Sequence, residues 1–162
     1  MIRPRRKGRI TTFSPGRNWL TALLLAALFL MGLAISWRGL HLTGVTVYCL
    51  LWAASYIIIF TGACRYCAYY GKSCPIPLEG GMVHRFFAKK DKDFGTTQLA
   101  WAAIAYALRA GVPVSVIIRD GQYGWGVAYA GVLLLFWVIH LRLIGCPNCI
   151  NTACPLNPGN HG

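Results

Sequence analysis

Residues 18–67 read NWLTALLLAALFLMGLAISWRGLHLTGVTVYCLLWAASYIIIFTGACRYC. Two apolar runs, Trp19 to Trp37 and Thr43 to Thr61, are separated by a few residues, and the second ends almost on a pair of cysteines. As helices rising 1.5 Å per residue, each can cross the roughly 30 Å of a bilayer's hydrocarbon. Lipid cannot partner exposed backbone polar groups, so such runs are expected to be helical. Thr97 to Ile118 and Tyr123 to Ile144 have the same character. The sequence thus predicts an all-α, four-helix transmembrane bundle with spans at about 19–37, 43–61, 97–118 and 123–144.

Composition agrees. Of 162 residues, 56% are hydrophobic and only 12% charged, with a mean hydropathy of +0.50. A soluble domain carries about 25% charge. The expected organisation is a basic segment, 1–18, followed by one membrane domain, 19–162, with a loop at 62–96 and a tail at 145–162. No small-x-small cleavage site follows the first run before Trp37 and Arg38, so it reads as a retained span.

The net charge of +12 sets an orientation. Arg3, Arg5, Arg6, Lys7, Arg9 and Arg17 precede the first span, and Arg65, Lys72, Arg85, Lys89, Lys90 and Lys92 occupy the central loop. The short connections hold little beyond Arg38 and Arg119. Positive residues stay cytoplasmic during insertion. A multi-pass protein of the cytoplasmic (inner) membrane with both termini cytoplasmic is expected. Beside a span, the basic N-terminus reads as a topology and anionic-lipid signal rather than a nucleic-acid arm.

Six of the seven cysteines fall into two matched clusters at span ends. Cys64-Arg-Tyr-Cys67 is followed by Cys74-Pro75, and Cys146-Pro-Asn-Cys149 by Cys154-Pro155, with Gly62 and Gly145 just upstream. The exits, Cys74-Pro-Ile-Pro-Leu-Glu-Gly and Cys154-Pro-Leu-Asn-Pro-Gly, also resemble one another. The chain therefore reads as two helical hairpins, each closed by a cluster and related by a pseudo-two-fold axis along the membrane normal. Both clusters would then share one face and approach one another.

Disulfides are uncommon in a reducing compartment. C-x2-C spacing brings two thiolates onto one ion, and zinc takes four nitrogen or sulfur ligands. Iron–sulfur cubes are held by cysteines, with Cys-Pro endings in bacterial ferredoxins. Cys64, Cys67, Cys74, Cys146, Cys149 and Cys154 are thus candidate ligands for zinc or an iron–sulfur cluster. Each half supplies three, so either the six are shared, or each site takes a non-cysteine ligand or stays open. The clusters follow negative helix C-termini, which disfavour free thiolates but not a bound cation, while Arg65 and Lys72 oppose this locally. His140, His84 and His161 could each complete a site, although each alone reads as interfacial. His41 lies on the opposite face. Cys49, inside the second span, reads as a small buried apolar residue.

Arg109, in the third span, is expensive at bilayer depth. It is expected to face the bundle interior as a cofactor-binding group for an anion or a quinone head group. The alternative is pairing with carbonyls, or snorkelling, in a helix kinked at Pro113. Gly124, Gly126, Ala128, Ala130 and Gly131 in the fourth span, and the alanines of the third, suit close helix packing. Met82, Val83, Phe86 and Phe87 form a stripe expected to lie as an interfacial helix on the cytoplasmic leaflet.

Around Cys64-Arg-Tyr-Cys67-Ala-Tyr-Tyr-Gly-Lys-Ser-Cys74-Pro75, the chain resembles small four-helix prokaryotic membrane proteins with cytoplasmic cysteine triplets. More loosely, it is similar to the NapH and NosR type of membrane polyferredoxin subunit. Those motifs use C-x3-C-P, whereas here six and four residues precede the Cys-Pro. The resemblance implies electron transfer from quinol.

Hydrolase motifs and phosphate-binding glycine loops are missing from the sequence. Glu79, Asp91, Asp93 and Asp120 are the only acids, none within an expected span, which argues against a carboxylate relay and a cation pump. The resulting expectation is an electron-transfer or membrane-anchor subunit with protein partners, not an enzyme on its own. The alternatives are a zinc-stapled structural or assembly protein, and a thiol–disulfide membrane enzyme.

Overall fold

A computed structural model describes residues 10–76, 79–92, 94–151 and 154–157, with only the backbone of Pro15 and Arg17. Arg3, Arg5, Arg6, Lys7, Arg9, Asp93 and His161 lie outside the described residues, as does the side chain of Arg17. The described chain is all-helical. It comprises α1 (Pro15–Gly62), α2 (Glu79–Phe86), α3 (Thr96–Asp120) and α4 (Tyr123–Val138), which continues as a π-helix over Ile139–Ile144. Three of these, α1, α3 and α4 with its extension, are long and apolar enough to cross a membrane.

The first two expected spans fall within the 48 residues of α1, which is broken at His41 (φ 51, ψ −140). The Tyr48 hydroxyl donates towards the carbonyls of Leu28 and Phe29 at 3.4 and 3.3 Å. A straight helix would hold such residues about 30 Å apart. The two arms of α1 therefore lie side by side, with the Phe29 ring against Tyr48 and Trp52.

α3 packs on both arms. Its Arg109 meets Ser55 on the second arm, and its Val116 and Asp120 abut Gly39 on the first. α3 ends on Gly121 in the left-handed conformation (φ 64), which lets the chain reverse into α4. Tyr106 then meets Phe136 and Trp137 across that pair. At the turn end, Arg119 donates to the Gly39 carbonyl at 2.8 Å and Arg38 lies over Trp125. Both turns thus share one end, and the six clustered cysteines lie towards the other.

Close helix approach is not where the small residues of α4 suggest. Gly124 and Gly131 face open space, and only Gly126 touches α3, at Ile117. The tight approaches are made by glycines of α1: Gly32 against Tyr48 on the second arm and then Pro113 of α3, Gly39 against Val116 and Asp120 of α3, and Gly62 against Trp101. The outer surface carries Trp19, Leu30, Leu50, Ile57, Ile118, Val127 and Leu134, large apolar side chains that are each more than half exposed.

Candidate functional site

Each C-x2-C motif folds into the same local structure. Cys64–Tyr66 and Cys146–Asn148 are 3-10 turns. In both, the second cysteine is extended and its N–H donates to the carbonyl of the first at 3.2 Å. The sequence repeat is thus also a repeat of backbone geometry.

The two clusters meet. Cys64, Cys67, Cys74, Cys146, Cys149 and Cys154 all line one cavity of about 180 Å³. Its walls are otherwise largely apolar, including Ile59, Leu99, Ala102, Trp137 and Leu141, with Tyr69, Glu79, Tyr106, His140 and Asn151 as polar members. A single water needs only about 10–15 Å³ by this kind of measure. None of the seven cysteines is disulfide-bonded. Among the described residues, no group of three or more His, Cys, Asp or Glu side chains is arranged to hold a metal ion. The six thiols surround a space without converging within it.

Tyr69 ties the pieces together. Its hydroxyl donates to the Ile10 carbonyl at 2.7 Å and accepts from the Ile150 N–H at 3.2 Å. Its ring packs on Phe13, whose N–H donates to the Ser73 carbonyl. One buried side chain therefore fastens the entry segment, the first cluster and the second cluster.

Burial disfavours the thiolate form at several of these cysteines. Burial pushes Cys67 up to about 11; a hydrogen bond from the Tyr69 backbone opposes it, while Cys149 and Cys154 of the other cluster add to it. Cys74 is pushed up to about 12, by burial first and then by Glu79. Cys154 is raised too, chiefly by burial. The nucleophile in thiol chemistry is the thiolate, so these are poor nucleophiles at neutral pH. A bound cation would reverse the preference. Arg65 gives little help to a thiolate, because its Nε donates to the Ala88 carbonyl and its guanidinium lies over Phe87.

α2 departs from the expected surface helix. Glu79, Gly80 and Val83 are buried and Phe86 is 63% exposed, so the helix docks by a face containing a carboxylate. Met82 and Phe87 are only partly buried. Gly80 makes the docking feasible, since a Cβ there would stand 2.5 Å from the Lys72 carbonyl oxygen and 2.9 Å from that of Tyr69.

Arg109 does face the interior, at 3% exposure, one layer behind the cavity wall. Its Nε donates to Ser55 Oγ at 2.7 Å, and one terminal nitrogen stands 3.6 Å from Glu79 Oε1. Trp52, Tyr56 and Tyr106 surround the guanidinium at 4.4 to 5.0 Å. Its anionic neighbour is thus the chain's own Glu79, a residue that sequence reasoning left in a loop. The one usable signal was the scarcity of acids in a chain with an arginine at bilayer depth. Cys49 is exposed on the outer surface of α1, not buried as expected, and is not part of the cavity wall.

No family model, curated protein or solved structure matches this chain.

Proposed function

We propose that the chain is an integral membrane protein built of two matched hairpins, four spans in all. Its six clustered cysteines hold a metal, either zinc or an iron–sulfur centre, at the cytoplasmic edge. One observation carries the reading: all six thiols, and not Cys49, line one cavity between the spans and the tail. A cation bound there would offset the cost that burial places on thiolates, and its binding would release the thiol protons and draw the ligands inward. With an iron–sulfur centre, the protein is an electron-transfer or membrane-anchor subunit of a larger complex. With zinc, it is a structural or assembly protein. The way Tyr69 fastens three segments around the cavity favours that second reading.

Anaerobic purification, metal analysis and visible spectroscopy test the proposal. Cys67→Ser and Cys149→Ser should lower metal content, and Cys49→Ser should leave it unchanged. Broad visible absorption that bleaches on reduction identifies iron–sulfur, while a colourless metal-bearing protein identifies zinc. Folded protein with neither metal and six free cluster thiols defeats the reading.

A further inference from the structure

Each triplet is one donor short of the four that zinc takes, and the second has a nitrogen beside it. The π-helix Ile139–Ile144 turns the His140 side chain into the cavity wall that carries all six cysteines. In that turn the Gly145 N–H donates to the His140 carbonyl at 2.9 Å. Such π-turns in a long helix often mark functional positions. The His140 ring stacks on Phe136, with centroids 6.0 Å apart and 11° between planes, and meets Trp137 edge-on, so its orientation is fixed.

Its Nδ1 is buried and has no hydrogen-bond partner. A Cβ on Gly145 would stand 3.0 Å from that nitrogen, so glycine at this position lets the imidazole lie against the backbone just before Cys146. A buried, unpaired ring nitrogen costs stability unless something partners it. On an apolar wall shared with six sulfurs, a thiophilic cation is the partner that the chemistry selects.

Resting on the metal reading above, we infer that His140 supplies a nitrogen ligand beside Cys146, Cys149 and Cys154, making a Cys3His metal site of the second cluster. Metal binding draws in side chains that line the cavity without converging on one point. His84, exposed on α2, has no such part.

The test uses the full chain, purified anaerobically in detergent and loaded with Zn2+ alone. X-ray absorption at the zinc edge should show sulfur at about 2.3 Å together with nitrogen at about 2.0–2.1 Å. His140→Cys should keep zinc bound and remove the nitrogen shell. His140→Ala should weaken zinc binding by more than the roughly 10–100-fold seen for outer-shell partners. A sulfur-only shell in the unaltered chain overturns the inference and leaves the six-cysteine reading standing. Nitrogen that persists undiminished in His140→Cys also overturns it, by assigning the ligand to another residue. An unaltered chain that takes up no zinc and carries no iron–sulfur centre defeats the underlying reading, and the inference with it.

Discussion

Arg109 on α3 and Glu79 on α2 stand 3.6 Å apart with both side chains almost wholly buried, which joins a span to the short helix between the cysteine clusters. The pair is longer than a hydrogen bond, and the second terminal nitrogen of Arg109 has no hydrogen-bond partner either. Breaking a buried pair from one side costs about 3–5 kcal/mol, because the other charge is left uncompensated. Arg109→Ala should therefore destabilise the bundle near pH 8, by less than that scale because Glu79 without Arg109 takes up a proton and sheds its charge, with loss of the three aromatic contacts adding to the effect. Adding Glu79→Gln should recover part of the loss. Thermal melts in detergent measure this, and a double variant as unstable as the sum of the singles would refute coupling between the two residues.

The same carboxyl should give stability a pH dependence. Burial raises Glu79 from its ordinary 4.5 to about 7, with Arg109 pulling the other way. The folded chain then holds this proton more tightly than the unfolded chain does. The resulting stabilisation is complete below pH 4.5 and fades as pH rises towards 7. Glu79→Gln should flatten that part of the profile. Melting temperatures collected across pH 4.5 to 8 decide the matter, since an identical slope in both proteins would assign the dependence elsewhere.

Much of this architecture is legible in the sequence, because a helix long and apolar enough to cross a membrane has a recognisable length and polarity. The runs at 19–37 and 43–61 became α1, and 97–118 and 123–144 lie within α3 and the extended α4. The clusters are legible as motifs because their spacing is local. What was not legible depends on long-range packing. Glu79 follows a Cys-Pro-Ile-Pro run that looks like a loop, and only the docking of α2 by Gly80 shows that it is buried. His140 was legible as a histidine that could complete a site, but the apolar helix that carries it gives no sign of the π-turn that aims it. The glycines of α4 suggested close packing, but Gly124 and Gly131 face outward, because composition does not say which face a neighbour covers.

Tyr69 offers a test of how the clusters are held together. Tyr69→Phe keeps the ring on Phe13 but strips partners from the Ile150 N–H and the Ile10 carbonyl. Leaving such groups unsatisfied costs about 1–3 kcal/mol each. The tail should loosen from the first cluster, and thiols of the second should react faster with a maleimide. Mass-spectrometric mapping of labelled cysteines reads this directly. Unchanged rates at Cys146, Cys149 and Cys154 would show that Tyr69 does not fasten the tail.

Two neighbouring glycines on α2 make a matched pair. Gly80→Ala places a methyl group against backbone oxygens of Lys72 and Tyr69, atoms that cannot swing aside as a flexible side-chain tip can. Gly81→Ala meets nothing within 4 Å and gains helix propensity worth about 1 kcal/mol. The first change should lower the melting temperature and expose Cys74 to thiol reagents, while the second should be neutral or slightly stabilising. Equal effects from the two would mean that α2 is not seated by Gly80.

The orientation proposed from charge can be tested at the two ends of the bundle. Tyr123 is 72% exposed at the end where the Gly121 and His41 turns meet, and Lys89 is exposed beside the first cluster. The basic residues of the central loop lie with the clusters, and positive residues remain cytoplasmic during insertion. In a Cys49→Ser background, Tyr123→Cys should react with a membrane-impermeant maleimide on intact cells. Lys89→Cys should react only after permeabilisation, as should the native cluster thiols when no metal protects them. The opposite pattern would put the clusters on the outer face, in an oxidising compartment where disulfides persist. The metal reading would then yield to thiol–disulfide chemistry.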